Sequence, residues 1–127
     1  MIAIFFFYYN YKFQSYKFLD FSKITLYTKN DIFNPTKDEY TLIIFSSKKD
    51  NLEDLIKKIK ASYPILAIDI YQVRKDYKNV IYTTAGINTI IKIIQHLNIY
   101  EVPVVLNIKR FKKNLYKQNS KIIVLNN

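Results

Sequence analysis

The chain has 127 residues, half of them apolar and none of them cysteine. One hydrophobic core can therefore form, while disulfides, thiolate metal sites and thiol redox chemistry are excluded. The net charge of +10 comes from 20 basic against 10 acidic residues, a balance that attracts phosphates or anionic lipid but that AT-rich coding, with its Lys, Ile, Asn, Tyr and Phe, produces as well.

Only Arg74 and Arg110 are arginines, so bidentate recognition of phosphate or guanine has few donors. A single glycine, Gly86, rules out a glycine-rich phosphate loop.

Residues 1–21 form an apolar N-terminal segment that begins Met-Ile-Ala-Ile-Phe-Phe-Phe-Tyr-Tyr and is interrupted by Asn10 and Lys12. The run falls short of the ~20 residues of a membrane span, and it lacks the basic start and small-residue cleavage site of a secretory signal. It reads as a short anchor, as the remnant of a longer anchor, or as a buried first element. Tyr8, Tyr9, Tyr11 and Tyr16 suit a membrane interface, which favours membrane association at a bacterial cell envelope over a cytoplasmic location. Residues 22–127 are then one domain.

Within that domain residues 24–28 read as a short strand, and residues 31–38, with Asn34-Pro35 and Lys37-Asp38, as a boundary turn. Thr41-Leu-Ile-Ile-Phe45 is a continuous apolar run, the pattern of a central strand covered on both faces. Asp50 and Glu53 have the spacing of a capping box. Leu52, Leu55, Ile56 and Ile59 then recur at helical spacing for about three turns, ending before Pro64. Residues 65–73 read as a second strand, parallel to the first. Residues 80–83 are either an extra strand or an extended connection. A second helix is expected from near Gly86, bearing Ile90, Ile91, Ile93, Ile94 and Leu97. Residues 102–108 form a third strand, with Pro103 at its start, where a missing amide is tolerated. After a turn at residues 110–114, either Leu115-Tyr116 or residues 122–125 supply a fourth, antiparallel strand.

The order strand, helix, strand, helix, Val-Pro-strand, turn, strand over residues 40–125 resembles the thioredoxin fold. The segment Ile94-Gln-His-Leu-Asn-Ile-Tyr-Glu-Val-Pro-Val-Val-Leu106 carries most of that resemblance. It implies a central mixed sheet flanked by helices, a cis bond at Val102-Pro103 facing the start of the first long helix, and a Val102 backbone that pairs with a bound chain. The family's two cysteine positions fall on Asp50 and Glu53, so the resemblance is to a redox-inactive member. The family's final helix has no counterpart, and the N-terminal segment or a partner would take its place.

The functional expectation is a non-catalytic protein-interaction or scaffolding domain that needs no cofactor and no metal. Its partner-binding residues are Ser47, Asp50, Glu53, Val102 and Pro103, converging with the stretch after Gly86 at one end of the sheet, where α/β folds place ligands. Acidic residues at the helix start disfavour an anionic ligand, so an extended peptide is expected. His96 reads as a helix-surface residue, because a metal site needs about three or four converging ligands. Ser46-Ser47 lacks the glycine-flanked elbow of a nucleophile. The alternative is a small basic nucleic-acid-binding protein using Lys48-Lys49, Lys57-Lys58 or Arg110 to Lys113 with Phe111.

Overall fold

A computed structural model describes residues 18–59, 63–77 and 79–125. They form a mixed α/β unit of one seven-stranded sheet and two helices. In chain order these are β1 (Phe18–Asp20), β2 (Glu39–Phe45), α1 (Leu52–Lys57), β3 (Ile65–Asp69), β4 (Val80–Thr84), α2 (Ile87–His96), β5 (Val104–Lys112), β6 (Leu115–Gln118) and β7 (Ile123–Val124). Most of the N-terminal segment, residues 1–17, lies outside the described residues. Its last residues are β1, whose Leu19 is buried opposite Tyr116 of β6. Among the described residues no helix is long and apolar enough to cross a membrane.

The strand order is β1-β6-β5-β2-β3-β4, which puts β2 in the interior, parallel to β3 and antiparallel to β5. The two-sided apolar run explains that position. Leu42 and Ile44 join the cluster under α2, containing Ile90, Ile93 and Leu97, while Ile43 and Phe45 join the cluster under α1, containing Leu52 and Leu55. Burying such side chains stabilises the fold by roughly 1.5–3 kcal/mol each.

Several elements differ from the expectation. Residues 24–28 are not a strand; Tyr27 alone bridges the edge of β4, exchanging backbone hydrogen bonds of 2.7 and 3.0 Å with Thr84. The first helix is six residues long, and its end tightens as Lys58 and Ile59 donate to carbonyls three residues back. The cap is Asn51, not Asp50: the Asn51 side chain accepts from the Glu53 amide at 2.9 Å, while the Asp50 amide turns back to the Ser46 carbonyl at 2.8 Å. That turn moves the helix start one residue along, onto a side chain with an equivalent acceptor.

β3 ends at Asp69 rather than residue 73, because the chain turns at Gln72 with a φ of 65°. Residues 80–84 are a full strand, parallel to β3. β5 runs on through the expected turn as far as Lys112, with a bulge between Arg110 and Lys112. Both candidates for the following strand pair with β5: β6 with its later half, and β7 with Val104 and Val105. No helix follows β5 among the described residues.

Candidate functional site

The strand register defines one end of the sheet. Phe45 lies beside Asp69 and Asp69 beside Thr84, while Ile44 lies opposite Val104. The chain therefore leaves β2 at Ser46, β3 at Ile70 and β4 at Ala85, and enters β5 from Pro103, all at this end.

A carboxylate that the sequence reading passed over organises it. Asp69 has no exposed surface. One of its oxygens accepts from the Ser47 amide at 3.0 Å and the Tyr71 amide at 2.9 Å. The other accepts from the Tyr82 hydroxyl at 2.6 Å, and its backbone carbonyl accepts from the Thr84 hydroxyl at 2.7 Å. Buried carboxylates need such donors, and these fix the loops after β2 and β3 to each other. Burial, then the hydrogen bond to Asp69, raises the Tyr82 phenol pKa well above its ordinary value. Tyr82 therefore remains a neutral donor at physiological pH. The signal for Asp69 was a lone acid inside the apolar run Ile65-Leu-Ala-Ile-Asp-Ile.

Four of the five expected binding residues meet here. Ser47 is anchored by its amide to Asp69. Asp50 is 8% exposed and lines a cavity of about 480 Å³ together with Lys49, Tyr100, Glu101, Val102 and Pro103. The Lys49 ammonium reaches across that cavity to the Val102 carbonyl at 3.4 Å. The Val102-Pro103 bond is cis, as the resemblance implies. The edge of Pro103 facing β7 is already used, since its carbonyl accepts from the Leu125 amide at 2.8 Å.

Glu53 is the exception. It is exposed on α1, with its carboxylate 3.9 Å from the Lys57 ammonium, because the helix starts at the neighbouring cap and turns this side chain outward. The stretch after Gly86 shares the same end but stands three strands from β5, roughly 14 Å away at ordinary strand spacing.

Other expected features are dispersed. His96 is exposed at the end of α2, and among the described residues no three His, Asp or Glu side chains group as a metal site would require. Lys48 stands 5.8 Å from the Tyr71 ring. Arg110 is held far from this end, its guanidinium donating to the Tyr116 hydroxyl at 3.0 and 3.2 Å. A second cavity, of about 310 Å³, opens beside the first between Ser47, Asn51, Lys75 and Tyr77. The end of the sheet thus presents an ordered floor, a cationic arm at Lys49 and an exposed ring at Tyr100, which is 92% exposed. No protein-family model, no curated protein and no solved structure matches the chain.

Proposed function

We propose that this chain is a non-catalytic protein-interaction domain of thioredoxin-like architecture that holds an extended peptide between Lys49-Asp50 and Tyr100 to Pro103. The observation that carries the reading is the meeting of these two segments, far apart in sequence, around one cavity of about 480 Å³ with Lys49 on the Val102 carbonyl. The parallel β2–β3 pair and the antiparallel β5 that follows Pro103 support the reading.

A peptide fits this groove better than a small anion. Asp50 and Glu101 line it and repel negative charge, whereas a lysine and an exposed tyrosine suit the anchoring of a peptide's backbone and side chains. Tyrosine is among the side chains that concentrate interface energy.

The test is selection from a random peptide library on the full-length chain, followed by titration of an enriched peptide against Lys49→Ala and Tyr100→Ala. Both positions are exposed, so folding is retained. Each substitution is expected to weaken binding about tenfold, or about 1.4 kcal/mol. Recovery of no peptide, or of peptides that bind both variants as tightly as the parent, would overturn the reading.

A further inference from the structure

Among the described residues, the α1 face of the sheet has a second half that no helix covers. α1 packs over β2, β3 and β4 and reaches Val105, while further along β5 and β6 Lys109 and Lys117 stand exposed on this face. The register sets Lys109 directly opposite Lys117, and Lys117 directly opposite Phe18. The bulge after Arg110 brings Phe111 alongside, its ring 5.3 Å from that of Phe18 and edge-on to it. Lys112 stands 5.8 Å from the Phe111 ring, which is itself 57% exposed.

Like charges directly opposite each other on an antiparallel pair destabilise it, and among the described residues no carboxylate lies within ion-pair distance of Lys109, Lys112 or Lys117. The acids in register are otherwise engaged. Glu39, beside Lys109, raises the pKa of the Tyr63 phenol, and Asp20 accepts from the Ser22 amide and hydroxyl at 2.9 and 2.6 Å.

A row of ammonium groups beside one exposed and one half-buried ring supplies what a flexible polynucleotide needs, namely charge for phosphates and ring faces for unpaired bases. We propose that this face, through Lys109, Lys112, Lys117, Phe111 and Phe18, binds single-stranded nucleic acid. The contacts read charge and ring surface rather than base edges, so binding is tolerant of sequence. A membrane surface suits it less, because the rings sit among the lysines on a strand surface instead of on the opposite side of an amphipathic helix.

The experiment is fluorescence anisotropy of a labelled oligothymidylate of about ten nucleotides, within the span that a single such surface covers, titrated with the full-length chain at several salt concentrations. Lys109→Ala with Lys117→Ala is expected to make the slope of log K against log salt shallower by about 1.4, at about 0.7 per phosphate. Phe111→Leu should weaken binding about tenfold without changing the slope, as loss of one stacked base requires, and Phe111→Tyr should retain it. Lys57→Ala with Lys58→Ala, at the end of α1, should bind like the parent. Equal binding of an abasic oligomer, indifference to the Phe111 and Lys109/Lys117 substitutions, or binding to anionic vesicles alone would each overturn the proposal.

Discussion

The two ends of the sheet are closed by different chemistry. Where β2, β3 and β4 finish, the closing group is a buried carboxylate: Asp69 gathers two amides and a phenol, and cavities of about 310 and 480 Å³ remain between the loops. At the opposite end rings do the closing. Phe21, Phe33, Tyr40 and Tyr116 pack with centroids 5.3 to 5.8 Å apart. Their hydroxyls tie down the loop before β2: Tyr40 accepts from the Thr36 and Lys37 amides, and Tyr116 donates to the Lys37 carbonyl. Point contacts to a carboxylate order loops without filling the space between them, whereas rings fill it. The first end leaves space between ordered loops; at the second, rings pack against the loop before β2, and a cavity of about 510 Å³ lies beside them between β1 and α2.

The largest expected effect is at the polar end. Asp69→Ala strands three buried or half-buried donors at once, at about 1–3 kcal/mol for each unsatisfied group, so urea unfolding should show a loss of about 3–5 kcal/mol. Asp69→Asn, which keeps one acceptor oxygen, should lose less than half of that. If Asp69→Ala cost no more than a surface substitution, the contrast between the two ends would collapse.

At the aromatic end Tyr40→Phe keeps the ring and removes only the acceptor for two amides, so its cost should be about 1–2 kcal/mol by the same measurement. Asn51→Ala, which removes the α1 cap, should cost about 1 kcal/mol. It should also lower the protection of the Glu53 amide in hydrogen exchange.

The pH response sharpens the comparison further. The Tyr82 phenol is raised in the fold, so above about pH 10 the unfolded chain releases this proton while the folded chain keeps it. Stability that is complete below pH 10 is then lost as pH rises. Thermal unfolding from pH 9 to 11 should show a steeper decline in the parent than in Tyr82→Phe; parallel curves would mean that burial and Asp69 together do not hold the phenol neutral. The smallest effect is a gain. Lys117→Glu converts the like-charge pair with Lys109 into an opposite one and should raise stability by up to about 0.5 kcal/mol.

Elements with an unambiguous pattern were legible in the sequence. The run around Leu42 to Phe45 could only be an interior strand, and Gly86 with the isoleucines after it marked α2. The same reading failed where neighbouring residues offer equivalent chemistry. Asp50 and Asn51 both carry a capping oxygen, and a backbone turn at Ser46 decided between them. It failed again where a distant group terminates an element, as at Asp69, whose partners Ser47 and Tyr82 are remote in sequence. Nothing local to Arg110 shows that Tyr116 and the Pro35 carbonyl claim its guanidinium, so the sequence alone presents it as part of a basic turn. Lys112 and Phe111 of the lysine row stand out in the sequence as part of a basic cluster, but Lys109 and Lys117 become neighbours only through the β5–β6 register.

The most direct test of the central claim is an amide chemical-shift map of the full-length chain titrated with a library-selected peptide. The largest changes are expected at Lys49, Asp50, Tyr100, Glu101 and Val102, with Lys37, Tyr40 and Tyr116 at the closed end unmoved. Changes centred on the closed end, or spread over the sheet with none at Lys49 and Val102, would contradict the claim.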